Sequence, residues 1–358
     1  MLACQQQQIC AATRLDLRGF VNLNFRHIVI VLAALRGVAA WAQGAPAPAV
    51  PDPFGPPQYQ WATPAGAGPW GSSASIERGP HNEIWAIDRC GVNSCDGSDI
   101  APINLLDMST GKPIRSIGAG LFVFPHGLHV DRDGNVWVTD GAISKDGTKG
   151  LQVLKLSPKG SVLMRLGTAG VRGDDASHFQ SPTDVITAPN GDIFVVDGHA
   201  PIPPFIPQAS IARIMKFSRS GKFIQQWGTH GSGPGQFDNP HAVALDSRGR
   251  LFVADRGNNR IQIFNQNGKL LETWTQFGRP AGLYIDKKDT LYAIDADSTE
   301  TLHPGWHKGI WIGSARTGKT TGFVPDNSAG EGVVVDTSGN LYGAVNAAPH
   351  GITKYAKQ

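Results

Sequence analysis

Charge is scarce in this chain. Only 17% of its 358 residues are Asp, Glu, Lys or Arg, and the formal balance is +3. Arg14, Arg18, Arg26 and Arg36 against Asp16, all within the first 42 residues, account for that excess and leave the remainder neutral. A neutral chain lacks the basic footprint that nucleic acid or an anionic membrane attracts, so neither is expected as a partner. Cysteine is scarce too, with four residues. Cys4 and Cys10 lie near the N-terminus, and only Cys90 and Cys95 follow, in DRCGVNSCDG. Two Cys without a second pair do not make a zinc site; they read as a disulfide closing a small loop, or as two free thiols. Long apolar runs are also missing. IVIVLAAL (28–35) is too short to span a membrane and is cut off by Arg36. There is no phosphate-binding Gly loop, no G-x-S-x-G elbow and no Ser-His-Asp set.

The short apolar run has a different meaning. Basic residues precede it, and Ala40-Trp41-Ala42 supplies an A-x-A cleavage pattern. Residues 1–42 are therefore expected to be a signal peptide, and the mature chain to be periplasmic or secreted. Residues 43–56 (QGAPAPAVPDPFGP) are rich in Pro and Ala without apolar periodicity, and are expected to be a disordered linker.

Glycine (44) and proline (25) are plentiful, and they punctuate a repeat. Six units open SSASIE (72–77), PHGLHVD (125–131), PTDVITA (182–188), PHAVALD (240–246), PAGLYID (280–286) and GEGVVVD (330–336). Each leads through a polar turn into a second apolar strand: EIWAID, NVWVTD, DIFVVD, RLFVAD, TLYAID, NLYGAV. Most continue into a third and a fourth strand. The turns carry Asn, Asp and Gly where hairpins need positive φ. Four-stranded units at this spacing predict an all-β, six-bladed β-propeller over residues 57–358. The last unit has room for three strands only, and PPQYQWAT (56–63) is expected to supply its outer strand and close the ring. The insertion HAPIPPFIPQASIA (199–212) is either a functional lid or a plain surface excursion.

Aligned, the six openings form a column: Ser72, His126, Thr183, His241, Ala281, Glu331. Alternate blades of a six-fold ring stand about 120° apart, so His126, His241 and Glu331 would converge at one channel mouth. Two imidazoles and a carboxylate are a reasonable ligand set for zinc with an open position. Alone, each His at a strand start reads more readily as structural; the three-fold placement favours the metal. A second column follows the Asp that ends the second strand: Arg89, Gly141, Gly198, Arg256, Ala296, Asn346. Arg89 and Arg256 would flank the metal and grip a carboxylate by paired hydrogen bonds, unless they pair with Asp88 and Asp255. His199, one position further in blade three, suits proton transfer near neutral pH. His129 lies in the same strand as His126 and reads as a packed side chain or as support for the ligands. The other His residues form no ligand-spaced pattern.

In LFVFPHGLHVDRDGNVWVTD, in FVVDGH and in the run SGKFIQQWG…GPGQFDNPHAVALD…LFVADRGNNRIQIF the chain resembles the NHL-repeat propellers. More narrowly, over residues 72–345, it is similar to the peptidyl-α-hydroxyglycine α-amidating lyases. That resemblance implies a channel zinc on three His, two of which match His126 and His241, with the third at Glu331. It implies substrate-binding Arg at Arg89 and Arg256, and a catalytic Tyr at or near His199. It implies a calcium on the carbonyls of Ala74 and Leu128 and on an Asp, but that Asp position is Gly332, which counts against calcium. The implied reaction splits a C-terminal α-hydroxyglycine into a peptide amide and glyoxylate. The sequence therefore predicts an exported, monomeric, metal-dependent lyase-like enzyme acting on a small hydroxy acid or peptide-derived substrate. His126, His241 and Glu331 are assigned to the metal, Arg89 and Arg256 to the substrate carboxylate, and His199 to proton transfer. The competing readings are a gluconolactonase-type lactone hydrolase, whose sites look richer in Asn, Asp and Glu, and a non-catalytic binding scaffold.

Overall fold

Four of the six repeats turn on one aspartate. In the β-hairpin turn of blade two, Asp131 Oδ1 accepts the backbone N–H of Asp133 and Asn135 at 3.0 and 2.9 Å. Asp246, Asp286 and Asp336 make the same pair of bonds in blades four, five and six. The turn then needs a residue at positive φ. Gly134 supplies it at φ +79°, whereas blades one and five use Asn82 (φ 69°) and Asp289 (φ 60°), residues that tolerate the left-handed region.

The computed structural model describes residues 46–63, 69–199, 211–347 and 351–358. The expected signal peptide and all but the two ends of the 199–212 insertion lie outside the described residues.

The turns join strands into six antiparallel sheets. Blade one is β1 (Ile76–Arg78), β2 (Ile84–Ile87), β3 (Ile103–Leu106) and β4 (Pro113–Ile117). Blade two is β5 (Pro125–Val130), β6 (Val136–Ile143), β7 (Gly150–Leu156) and β8 (Val162–Leu166). Blade three is β9 (Pro182–Thr187), β10 (Ile193–Asp197), β11 (Arg213–Phe217) and β12 (Phe223–Trp227). Blade four is β13 (Pro240–Leu245), β14 (Leu251–Asp255), β15 (Arg260–Phe264) and β16 (Leu270–Trp274). Blade five is β17 (Pro280–Ile285), β18 (Thr290–Asp295), β19 (Gly309–Ser314) and β20 (Thr320–Pro325). Blade six is β21 (Gly332–Val335), β22 (Leu341–Val345) and β23 (Gly351–Tyr355).

The innermost strands β1, β5, β9, β13, β17 and β21 each touch the innermost strands on either side, β21 meeting β1, so the ring is closed. Between each pair of neighbouring blades lies an apolar cluster. Trp137 of β6, for example, packs with Val185, Val195 and Met215 of blade three. Burying an aromatic of this size removes it from water with a gain of roughly 1.5–3 kcal/mol. No helix among the described residues is long and apolar enough to cross a membrane.

The ring is latched by its N-terminal segment. Gly55 N donates to Ala356 O, Gln58 N to Lys354 O and Trp61 N to Ile352 O, so residues 55–61 run antiparallel to β23. The disordered linker expected over 43–56 is corrected from residue 46 onward. Phe54 is buried, Pro51 O accepts the Phe323 N–H, and Ala47 and Val50 pack on the cluster between blades four and five. Proline removes N–H donors but leaves carbonyls and apolar rings, which suffices to dock on an outer strand without periodicity.

Candidate functional site

A β-bulge aims the column at the axis. In blade two Pro125 pairs with Asp140 and Leu128 with Val138, so His126 sits where the register slips. The same slip puts His241 between Pro240 and Ala242, and Ala281 between Pro280 and Gly282. Thr183 stands at the equivalent break in blade three. A bulge adds a residue to one strand and re-aims its side chain. Here it recurs at the mouth of the channel, one residue after the opening Pro.

The strand-end aspartates hold these bulges in place. Asp140 takes the N–H of Val123 at 3.0 Å and of Phe124 at 2.6 Å, just ahead of Pro125. Asp197 takes Gln180 N and Ser181 N, Asp255 takes Asp238 N, and Asp295 takes Arg279 N. Burial pushes Asp140 up to about 7, despite the backbone N–H groups it accepts from.

The odd blades orient the imidazoles of the even ones. His126 Nδ1 donates to Thr183 O at 2.8 Å, and His241 Nδ1 donates to Ala281 O at 2.6 Å. A carbonyl can only accept, so each Nδ1 carries the proton and each Nε2 presents a lone pair. Both Nε2 atoms are buried and have no hydrogen-bond partner among the described residues. They face Glu331: His126 Nε2 is 3.7 Å from Oε2, and His241 Nε2 is 3.5 Å from Oε1. Burial, then the neighbouring His241 and His199, hold His126 well below its ordinary pKa; burial and Arg256 lower His241. Burial alone would raise Glu331, but His241, His126 and Arg256 together bring it well below the carboxylate range. Neutral imidazoles around an ionised carboxylate are the protonation states that a metal requires. Lone pairs facing lone pairs in a buried spot need a cation between them, so the donor set fits a divalent ion.

His199 joins this group. One ligating atom each from His126, His199, His241 and Glu331 lie within 4.8 Å of one another, all four residues being buried. The His199 ring centroid is 5.0 Å from that of His126 and 5.2 Å from that of His241. The antiparallel pairing of β9 and β10 is responsible: Asp197 lies opposite Pro182, which brings the end of the second strand to the start of the innermost one. His129 stays apart, with Nε2 at 2.9 Å from Thr187 Oγ1 and Nδ1 at 3.8 Å from Glu77. Beyond the cluster the innermost strands enclose a cavity of about 90 Å³, lined among others by His126, Thr183, His241 and Glu331.

The two arginines differ from expectation and from each other. Arg256 Nη1 donates to Glu331 Oε1 at 3.0 Å and lies 3.5 Å from Asp297. Its Nη1 is therefore committed to a candidate ligand, while its Nε is buried without a partner among the described residues. Neither arginine pairs with its neighbouring strand-end Asp: Asp88 accepts Gly71 N and Gly91 N, and Asp255 takes Arg260. Arg89 lies flat on Phe124, its guanidinium carbon 3.7 Å from the ring centroid. Its Nε donates to Pro125 O and its Nη1 to Asn93 Oδ1, while Nη2 is buried without a partner among the described residues. Burial pushes Arg89 down to about 10, against the pull of Glu331 and Asp140. The Cys90–Cys95 disulfide is formed and closes the loop that carries Asn93.

The sequence reading missed the Arg256–Glu331 pair and the carbonyl partners of the two Nδ1 atoms. Only the recurrent strand-end Asp and the opening Pro, both visible as columns, signalled the framework that holds them.

The NHL repeat family matches residues 237–264, which cover β13 to β15. Peptidyl-glycine alpha-amidating monooxygenase A of Xenopus laevis is 41% identical over 246 residues, covering 63% of this chain and 24% of that protein. The probable peptidyl-alpha-hydroxyglycine alpha-amidating lyase of Caenorhabditis elegans is 39% identical over 158 residues, covering 43% of this chain and 40% of that one. The match thus spans about a quarter of the first relative's length and two fifths of the second's. Among solved structures, a gluconolactonase of Xanthomonas campestris superposes with a TM-score of 0.58 at 16% identity, over 88% of this chain and 99% of that one; the likeness is one of fold.

Proposed function

We propose, from the premise that this NHL-repeat six-bladed propeller resembles the peptidyl-α-hydroxyglycine α-amidating lyases, that it is an exported metal-dependent lyase. Its substrate would be a peptide ending in α-hydroxyglycine or a related small hydroxy acid. Relatives at about 40% identity that carry amidating names support an enzyme of this kind. The reading rests on the two partnerless imidazole nitrogens that face an ionised carboxylate in one buried spot.

His126, His241 and Glu331 would hold a divalent ion, zinc being the expectation from sequence. Bound there, it would act as a Lewis acid on an oxygen of the substrate. In the reaction the substrate's hydroxyl proton leaves to a base. Its carbon–nitrogen bond breaks as the carbonyl of glyoxylate forms, and the amide nitrogen takes up a proton. Arg89 would orient the substrate. Its guanidinium is buried, stacked on Phe124 and short of one acceptor, which a carboxylate would satisfy by a charge-assisted bond. Arg256 would act through Glu331, keeping it ionised and fixed in direction. With Glu331 given to the ion and held ionised by Arg256, His199 would be the base for the hydroxyl proton. His199 takes the place of the phenol that the family resemblance implies.

The test is release of glyoxylate from a peptide ending in α-hydroxyglycine, with the purified protein supplied with a divalent ion. Activity that chelator removes, and that His126→Ala and Arg89→Ala each lose, is the expected result. A folded, metal-loaded protein that yields no glyoxylate overturns the assignment.

A further inference from the structure

We infer that His199 is a fourth metal donor, so that the centre is a three-imidazole, one-carboxylate set suited to a six-coordinate transition metal over tetrahedral zinc. The inference rests on the metal reading above and deepens it. Two donors on one ion, at bond lengths of about 2.0–2.2 Å, can be at most about 4.4 Å apart. The ligating atoms of His126, His199, His241 and Glu331 lie within 4.8 Å of one another, close to that upper limit. His199 is as buried as its neighbours, at 2% exposed against 3% for His126 and 2% for His241. The His126, His199 and His241 ring centroids form a near-equilateral triangle with sides of 4.7, 5.0 and 5.2 Å. No one of the three imidazoles is set back from the others as a base acting from outside the group would be.

The number of donors bears on the metal. A catalytic zinc takes three protein ligands and keeps its fourth position open; four protein ligands close a tetrahedral site. Mixed imidazole and carboxylate sets with positions to spare suit iron, cobalt, nickel or manganese, which accept six ligands. A buried four-donor group at the mouth of a cavity therefore favours a metal of the second kind. The assignment also takes His199 out of proton transfer.

Cobalt(II) is the probe, because its visible bands are strong when four-coordinate and weak when six-coordinate. The protein is stripped with chelator and titrated with cobalt as wild type, His199→Ala, His199→Gln and His126→Ala, with circular dichroism to confirm folding. The wild type is expected to take up one cobalt with weak, six-coordinate bands. Both His199 variants are expected to bind at least about a hundredfold more weakly, beyond the range for losing a mere supporting hydrogen bond, and with altered bands. Folded His199 variants with wild-type affinity and spectrum, beside a His126→Ala that has lost cobalt, would overturn the inference and leave the metal reading intact. A wild type that binds neither cobalt nor zinc would overturn both.

Discussion

Replacing Asp140 with Ala separates the framework of the site from the site itself. Asp140 is none of the grouped candidate ligands, yet it holds the backbone of Val123 and Phe124, three and two residues ahead of His126. Each buried N–H left without its acceptor costs about 1–3 kcal/mol, so the two together cost roughly 2–6 kcal/mol. Against a whole-domain stability of about 5–15 kcal/mol the variant is weakened but folds. The freed bulge lets His126 move, and loss of such a support lowers metal affinity by about 10–100-fold. Asp286→Ala is the control. It also removes two backbone bonds, to Lys288 and Thr290 at 2.8 Å each, but in the turn between β17 and β18, at the opposite end of the blade. Urea unfolding in chelator measures the first effect, and metal titration against a fluorescent competitor measures the second. Both variants are expected to be destabilised, the Asp140 variant more, and only that variant to bind metal more weakly. Wild-type metal affinity in Asp140→Ala would refute the idea that strand-end aspartates position the column.

Two further outcomes are expected. Converting Cys90 and Cys95 to Ser opens the loop that carries Asn93, the partner of Arg89 at 2.8 Å. Loop-closure entropy for so short a loop is about 2 kcal/mol of stability, and the Michaelis constant for a carboxylate-bearing substrate is expected to rise while metal titration stays unchanged. His303 stacks on Trp306 with centroids 4.7 Å apart and planes 7° from parallel; burial, with Arg279 adding, lowers it from 6.5 to about 4. Between those values the unfolded chain binds a proton that the folded chain refuses, so stability present above about pH 6.5 is lost as pH falls toward 4. Urea midpoints of His303→Phe are expected to fall less steeply than wild type over that window.

Much of the molecule was legible because its information is local and repeated. Two alternating apolar strands joined by a polar turn recur six times, four of the turns built on an Asp, and any one copy specifies a hairpin without help from the rest. The alignment of copies also exposed His126, His241 and Glu331 as one column, since rotational symmetry carries equal positions to equal distances from the axis. Other features depended on chain segments that alignment does not connect. The packing of Ala47, Val50 and Phe54 onto the outer strands shows no period, so the sequence pattern does not announce it. The Arg256–Glu331 pair joins residues 75 apart in different columns, and nothing in either blade announces it.

From the sequence alone came the number of blades, the place of each hairpin and the column of His126, His241 and Glu331 proposed as ligands, all consequences of a period that short-range sterics and patterning enforce. The tertiary structure alone decided which side chains meet. Antiparallel pairing returns the end of each second strand to the start of the innermost one, so His199 and Arg256, a full strand away in sequence, arrive at the same mouth as the column. The bulge after each opening proline then turns the column inward, and a carbonyl from the next blade sets which nitrogen of each imidazole faces the axis.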